Sequence, residues 1–414
     1  MKIPLSEPDI GSREIEAVVK VLRSRRLSIG PQLETFEESF ARYLGRKHAI
    51  AVSSGTAALH LCVKALGIGA GDDAITTSFT FVASANCLLY EGAAPIFADI
   101  SSHTLNIDPL AVREIIENDY VRDSLVKRWV HRRSRRILKA ILPVHVFGLP
   151  CDMKPILETA HEFDLNVVED ACEALGAEYG GQRAGTFGDA AVFGFYPNKQ
   201  LTTAEGGMIV TNDERIAGIC RSLRNQGRAG DGGWLLHSRL GYNYRLSELH
   251  CALGVAQLER IDQLLSERER VARLYSEALA DVPGVELPGE VLGVKRSWFS
   301  YVIQVLGRSP AERRDALMAG LHARGIDCRP YFPAIHRQPY FRSLHLDTNR
   351  PLPRTELAAD RTLALPFFAS MTREMVHEIC SAVRELLIRT SESSAREEEL
   401  CAQPRRVKPG TSAV

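Results

Sequence analysis

Short apolar runs at residues 48–52, 73–77, 95–98, 138–144, 165–168, 190–195 and 207–211 punctuate the first half of the chain. Between them lie stretches with apolar positions at helical spacing: Ser12–Ser24, Leu33–Leu44, Thr56–Leu66, Val82–Glu91, Met153–Phe163 and Glu214–Arg224. The first set reads as buried strands and the second as amphipathic helices. This alternation predicts a mostly parallel sheet covered by helices, an α/β domain over residues 1–250. The texture then changes. A long amphipathic helix is expected from about Leu246 to Leu264 and another over Glu267–Leu279, followed by turn signals at Pro283-Gly284 and Pro288-Gly289. A strand-like run Phe299–Val305, a helix Ala311–Arg324, Pro-rich loops to Pro353 and a last helix Arg373–Ile388 complete a smaller α+β domain, 251–389. The polar stretch 390–414 reads as a disordered tail.

The 414 residues are enough for two domains, and 45% apolar with 25% charged side chains is an ordinary soluble mix. Basic and acidic residues balance at 51 each, so nothing in the overall charge favours nucleic acid. The one basic cluster, Lys127 to Lys139, reads as a solvated face, or else as a docking surface for a phosphorylated partner or nucleotide. Nine cysteines include no Cys-x-x-Cys pair. Neither a disulfide framework nor a metal site is indicated, and the thiols read as small buried side chains, with Cys172 and Cys328 as candidates to line a cleft. No apolar run reaches membrane-spanning length and Met1 to Pro8 has no leader-like stretch. The expectation is a cytoplasmic protein with no membrane partner.

Candidate chemistry begins at Lys199. The apolar run Ala190 to Phe195 ends in Tyr196-Pro197-Asn198-Lys199, a loop that delivers one lysine before Glu205-Gly206-Gly207 and a second apolar run. A lysine amine at a strand end suits Schiff-base formation with the carbonyl of pyridoxal phosphate (PLP). The plainer reading is a solvated lysine in a turn. Three further segments bear on that choice. The run Leu165 to Val168 stops at Glu169-Asp170, and parallel sheets bind ligands at the carboxyl ends of their strands. Asp170 can there meet a pyridine nitrogen, or simply cap a helix. Ser53-Ser54-Gly55-Thr56 leads from a strand into an alanine- and leucine-rich helix, whose free N–H groups and positive end suit a phosphate. Read alone, it is also an ordinary Ser/Thr cap. Gly241-Tyr242-Asn243-Tyr244-Arg245-Leu246-Ser247-Glu248 is a polar, aromatic turn before a helix, with Ser247 or Asn243 as its cap in the simplest reading.

Taken together and in this order, the four segments resemble the DegT–StrS family of PLP-dependent nucleotide-sugar aminotransferases. The resemblance runs from about Ile3 to Leu387. It includes Leu27-Ser28-Ile29-Gly30-Pro31, Pro143-Val144-His145-Val146-Phe147-Gly148, Ser297-Trp298-Phe299 and Gly325-Ile326-Asp327. It implies a three-layer fold-type I PLP-transferase, with Lys199 as the Schiff-base lysine and Asp170 as partner of the pyridine nitrogen. By the same resemblance Ser54, Gly55 and Thr56 belong to the phosphate cradle. Phe81 stacks on the cofactor ring and Glu173 lies beside its phenolic oxygen. Asn243 reaches the cofactor phosphate of a neighbouring subunit, which implies a homodimer with shared active sites. The loop Arg329–Arg342, with Tyr331 and His336, is the expected sugar-facing segment. One departure stands out: many members carry a phosphate-binding serine five residues before the lysine, where this chain has Gly194. The segment between Ala111 and Ile141 also looks like an insertion.

The implied activity is transfer of an amino group from an amino acid, usually glutamate, to a nucleotide-linked ketosugar. The product would serve cell-surface polysaccharide or other amino-sugar biosynthesis. A PLP-dependent sugar dehydratase of the same family would carry histidine in place of Lys199. An amino-acid transaminase or cysteine desulfurase fits the Tyr-Pro-Asn-Lys and Gly-Tyr-Asn-Tyr-Arg segments poorly. A non-catalytic PLP-binding regulatory protein is the alternative outside enzymology.

Overall fold

The computed structural model describes the backbone of residues 2–229, 235–344 and 350–402, and side chains as far as Ile388. In chain order the strands up to Thr211 are β1 His48–Val52, β2 Asp72–Thr77, β3 Ala94–Ala98, β4 Tyr120–Asp123, β5 Arg128–His131, β6 Ile137–Leu142, β7 Asn166–Asp170, β8 Glu178–Tyr179, β9 Gln182–Arg183, β10 Ala190–Gly194 and β11 Gly207–Thr211. The main sheet runs β1-β11-β10-β7-β6-β2-β3. Within it β10, β7, β6, β2 and β3 are mutually parallel, and β11 is antiparallel to both neighbours. The apolar runs are continuous rather than alternating because helices cover both faces. On β1, Ile50 and Val52 join a cluster with Leu59 and Leu61 of helix Gly55–Ala65, while Ala49 and Ala51 join another with Phe36 and Phe40 of helix Pro31–Leu44. That is the period of two expected of a strand buried on both sides.

The basic segment is a hairpin. β4 pairs antiparallel with β5, which touches β6. Three of its arginines are paired: Arg136 with buried Asp73 at 2.7 Å, Arg135 with Asp123 at 2.9 Å and Arg128 with Asp164 at 2.5 Å.

The C-terminal part centres on an antiparallel sheet of Val285–Glu286, Tyr301–Val305 and Thr362–Leu365. Its apolar cluster draws on the helices Ile261–Leu279, Pro310–Ala323 and Arg373–Ala402, and also on Ile3 from the start of the chain. Ile3 is bound there by backbone hydrogen bonds to Gly325 and Asp327. Three expected helices differ in extent. The one expected to Leu264 ends at Glu259 and the next begins at Ile261 rather than Glu267, so they meet at Arg260, whose guanidinium is tied to Glu14 and Asp9 at 2.6 and 2.8 Å. The last runs past Ile388 to Ala402, so the segment expected as a disordered tail begins in helix; residues 403–414 lie outside the described residues.

Candidate active site

The carboxyl ends of β1, β2, β6, β7 and β10 open on one side of the sheet, where ligands of open α/β sheets bind. A cavity of about 620 Å³ lies there, within the usual range for small-molecule sites. Ser54, Gly55, Thr56, Phe81, Asp170, Glu173, Lys199 and Tyr331 all line it. The structure therefore gathers residues from positions 54 to 331 around one space.

Lys199 follows β10 and is held by the turn from Tyr196. Its Nζ sits 3.5 Å from Glu173 Oε1 and 3.9 Å from the centre of the Phe299 ring. Arg268, fully enclosed, donates to the carbonyl oxygens of Asn198 and Lys199 at 3.3 and 3.0 Å, which fixes the loop from below. The carboxylate of Glu173 takes a hydrogen bond from the Phe147 N–H at 2.9 Å. Burial raises the pKa of Glu173, against the opposing pull of Lys199 and the Phe147 amide.

Asp170 ends β7 and is 5% exposed. Oδ2 accepts from the Ser84 hydroxyl at 2.7 Å and Oδ1 from the Cys172 N–H at 3.1 Å. Each oxygen thus has one protein donor and capacity for another. Ser84 is a site residue the sequence reading missed. Its only signal is a small polar residue in the short helix Ala83–Leu89, where it is 1% exposed.

The phosphate-sized end of the cavity is built from helix starts and glycines. Ser54 caps the helix Gly55–Ala65, its hydroxyl accepting from the Ala57 N–H at 3.0 Å. The N–H groups of Gly55 and Thr56 make no hydrogen bond among the described residues. The approach is too close for side chains: a Cβ on Gly207 would stand 2.5 Å from the Ser54 carbonyl. A Cβ on Gly55 would lie 3.0 Å from Cys172 Sγ, whereas one on Gly194 would meet the same sulfur at 3.4 Å, an ordinary contact. Cys172 thus borders the position where the family resemblance leads one to expect a serine. Cys328, the other thiol expected in the cleft, is fully buried and does not line it.

Two candidates lie outside the cavity. Asn243 is exposed, and its side chain makes no hydrogen bond among the described residues. The turn that carries it is pinned from the other side. Tyr242 donates to Glu91 at 2.7 Å, the Tyr244 hydroxyl lies 3.2 Å from His60 Nδ1, and the two tyrosine rings stack at 5.0 Å. His336, expected near the sugar, also does not line the cavity. The Ser78 hydroxyl accepts from the His336 backbone N–H at 3.0 Å and donates to its Nδ1 at 2.7 Å, leaving Nε2–H for Glu356 at 3.2 Å. Burial lowers the pKa of this imidazole despite Glu356. With both ring nitrogens engaged, His336 ties the turn Ala334–Gln338 to the end of β2.

The residues present suit PLP. A shielded carboxylate with spare acceptor capacity suits a protonated pyridine nitrogen, and a helix start with free N–H groups suits a dianionic phosphate. Lys199 Nζ has one carboxylate neighbour and little solvent. The Asn198 Oδ1 atom, also at the cavity wall, is buried without a hydrogen-bond partner among the described residues. Among those residues no cluster of His, Cys, Asp and Glu has the form of a metal site, and no helix is long and apolar enough to cross a membrane.

Residues 8–384 match the DegT/DnrJ/EryC1/StrS aminotransferase family. The chain is 37% identical over 389 residues to the GDP-perosamine synthase of Caulobacter vibrioides, spanning 94% of this chain and 99% of that protein. It superposes with a TM-score of 0.83 on Helicobacter pylori PseC, an aminotransferase involved in the biosynthesis of pseudoaminic acid, at 30% identity over 93% of this chain and 99% of that one. Spr1654 of Streptococcus pneumoniae, solved in its PLP form, gives a TM-score of 0.83 at 25% identity, over 93% of this chain and 98% of that one.

Proposed function

This chain belongs to the DegT/DnrJ/EryC1/StrS aminotransferase family, a PLP-dependent family of fold-type I, and from that premise we propose that it aminates a nucleotide-linked ketosugar. L-Glutamate is the proposed amino donor, and the proposed form is a cytoplasmic homodimer with shared active sites. Its product would enter cell-surface polysaccharide or other amino-sugar biosynthesis. The similarity to GDP-perosamine synthase makes GDP-linked ketosugars the first substrates to assay. The observation that carries the reading is the convergence of Lys199, Asp170 and the Ser54–Thr56 helix start on one cavity.

When bound, PLP supplies an electron sink and the carbonyl that carries the amino group. Lys199 would hold it through Nζ, Asp170 through the pyridine nitrogen, and Ser54, Gly55 and Thr56 through the phosphate. Phe81 would cover the ring, and Glu173 would face its phenolic oxygen. Asn243 of a second copy would complete the phosphate site. Lys199 Nζ would also serve as the base that takes the proton from the donor Cα and delivers it within the site. Glu173, 3.5 Å away, supplies the countercharge when Nζ is protonated, and the Phe299 face beneath it keeps water out. Tyr331 stands at the wall where the sugar would enter, while His336 serves to anchor that wall.

The test is a steady-state assay of the purified protein with L-glutamate and a panel of GDP-, UDP- and dTDP-linked 3-keto and 4-keto sugars. Glutamate-dependent amination of at least one is expected. Cofactor binding without amination of any panel member would leave a PLP-binding protein of another kind.

A further inference from the structure

A smaller cavity, about 100 Å³, lies between loops of the main sheet and the C-terminal sheet. Thr104, Leu105 and Phe147 wall it on one side, and Ser300, Val302 and Gln304 on the other. Strand alternation sets the second side. Tyr301, Ile303 and Val305 belong to the apolar cluster of the C-terminal part, so Ser300, Val302 and Gln304 present the opposite face. Ser300 is 8% exposed, and its buried hydroxyl has no hydrogen-bond partner among the described residues. A buried polar group in that state calls for something to bind. Arg296, also on the wall, brings a positive charge. One of its N–H groups donates to the Gly289 carbonyl at 3.1 Å, and its guanidinium carbon stands 4.9 Å from the centre of the Trp298 ring. Burial pushes the pKa of Arg296 down to about 10, against the weaker opposing pulls of Tyr301 and Glu269. An enclosed cation compensated this poorly favours an incoming negative charge. The Thr104 hydroxyl accepts from the Asn106 N–H at 3.3 Å, which leaves its own proton for a ligand. Among the described lining residues Glu286 is the one acid; it is exposed and is not among the charges that act on Arg296. The space is far below the about 300–1,000 Å³ of pockets for larger organic ligands, so its occupant is ion-sized.

We propose that this cavity binds a small oxyanion of the size of inorganic phosphate, held by the Arg296 guanidinium and the Ser300 and Thr104 hydroxyls. A guanidinium matches two oxygens of such an ion with parallel N–H groups, and hydroxyl donors satisfy the others. Because the donors come from both walls, the bound ion ties the C-terminal sheet to the loops of the main sheet. One of those loops carries Phe147. Its ring stacks on Tyr331 and Phe332 of the active-site wall at 6.5 and 5.3 Å, and its N–H holds the Glu173 carboxylate. The ion would therefore brace the back of the wall whose front faces Lys199.

The experiment titrates inorganic phosphate into the PLP-loaded protein by calorimetry, at constant ionic strength with chloride as the background anion. Loading with PLP fills the proposed phosphate cradle at Ser54–Thr56 beforehand. Binding of one phosphate per chain is expected, with a melting temperature that rises with phosphate and not with chloride at equal ionic strength. Arg296→Met should weaken binding by about tenfold or more, and Ser300→Ala by severalfold, the scale of lost hydrogen bonds to a charged group. Glu286→Gln removes the one opposing charge and should tighten binding; weaker binding in that variant would overturn the proposal. If Arg296→Met does not fold, Ser300→Ala and Glu286→Gln decide the matter. A wild type that binds no phosphate refutes the site. Phosphate bound equally well by wild type, Ser300→Ala and Glu286→Gln sits elsewhere on the protein, and the proposal falls with that result too. None of these outcomes turns on whether the protein aminates a sugar nucleotide.

Discussion

Glu169, one residue before Asp170, offers the most direct test of how the carboxylate proposed to face the cofactor is held. Successive strand residues point to opposite faces, so Glu169 faces away from the cavity and is fully buried. Its Oε1 accepts from the N–H groups of Phe187 and Gly188, both at 2.7 Å, and its Oε2 from Gly185 N–H at 2.8 Å and His145 Nε2 at 3.1 Å. His145 Nδ1 accepts from the Cys151 N–H at 3.0 Å, so the ring proton is on Nε2 and is donated to Glu169. Every acceptor position of the carboxylate is filled by a donor. Glu169→Gln keeps the shape but replaces one oxygen by an NH2, which must face two donors whichever way the amide turns. Two charge-assisted hydrogen bonds are lost at about 1.5–3 kcal/mol each, or about 3–6 kcal/mol together. That is a large part of a typical folding stability of about 5–15 kcal/mol. We expect thermal unfolding followed by circular dichroism to show a melting temperature lower by roughly 3–7 °C, the shift for a chain of 414 residues. The pH dependence has a definite sign. Burial raises the pKa of Glu169, but the His145 bond and the backbone amides outweigh it, and the net shift is downward from 4.5. The group therefore stabilises the fold fully above its unfolded pKa and loses that contribution as pH falls through the lower folded value. The gap between wild type and Glu169→Gln should be full at neutral pH and narrow in acid. A variant that melts with wild type at pH 7 would refute this account of the strand end.

Four further outcomes test the site. Lys199→Ala should bind PLP without a covalent link and lose transamination, and borohydride followed by peptide mapping of the wild type should place the adduct on Lys199; an adduct on another lysine removes that assignment. Asp170→Asn keeps the Cys172 bond through Oδ1, and the Ser84 hydroxyl can turn to accept from the new NH2, but the charge proposed to face the pyridine nitrogen is gone, so turnover should fall by about ten- to a hundredfold at saturating PLP; full turnover would reduce Asp170 to a structural role. Gly194→Ser has room, since its Cβ meets nothing closer than Cys172 at 3.4 Å, and should tighten PLP by about tenfold in equilibrium dialysis by adding one phosphate donor; unchanged affinity means the cradle is already complete. Mixing inactive Lys199→Ala protein with an inactive Asn243→Ala variant should restore part of the activity in mixed dimers; no recovery despite demonstrated subunit exchange rules out a shared site.

Much of the main sheet was legible because strands such as β1, β10 and β11 are buried on both faces and read as nearly continuous apolar runs. The strands at 48–52 and 207–211 and the helices at 12–24, 153–163 and 214–224 fall where the pattern puts them. The hairpin of β4 and β5 escaped because each strand is only four residues long and mixes charged residues with Tyr120, Val121, Trp129 and Val130, too short a run to show a period. The helix Pro109–Asp119 was missed although Asp108 caps it and Pro109 opens it, an N-terminal signature that outranks its weak apolar stripe. At the site, residues that end strands or begin helices were readable from local pattern plus family resemblance. Ser84, Phe299 and Arg268 were not, because what matters in them is contact across long separations: Ser84 to Asp170, Phe299 to Lys199, and Arg268 to the Lys199 carbonyl. His336 shows the converse. Its place in a loop rich in candidate contacts said nothing about the two partners that occupy its ring.

The position of Asn243 also bears on how two cradles can be coupled. Tyr242 and Tyr244, on either side of it, turn inward onto His60 and Glu91, and Lys64 closes the group with a 2.6 Å bond to Glu91. His60 and Lys64 belong to the helix Gly55–Ala65, the same helix whose first turn is the proposed phosphate end of this chain's own cavity. Burial would raise the pKa of Glu91, but the bonds from Lys64, Tyr242 and His60 outweigh it and hold it below the ordinary value, so this anchor stays charged at neutral pH. One rigid helix therefore sets two positions: the N–H groups offered inward and, through the tyrosines, the asparagine offered outward. If the outward residue serves a second copy, a shift of this helix would disturb the local cradle and the neighbour's together. The two sites of a dimer would then be registered to each other by backbone and side-chain packing, without any conformational switch between them.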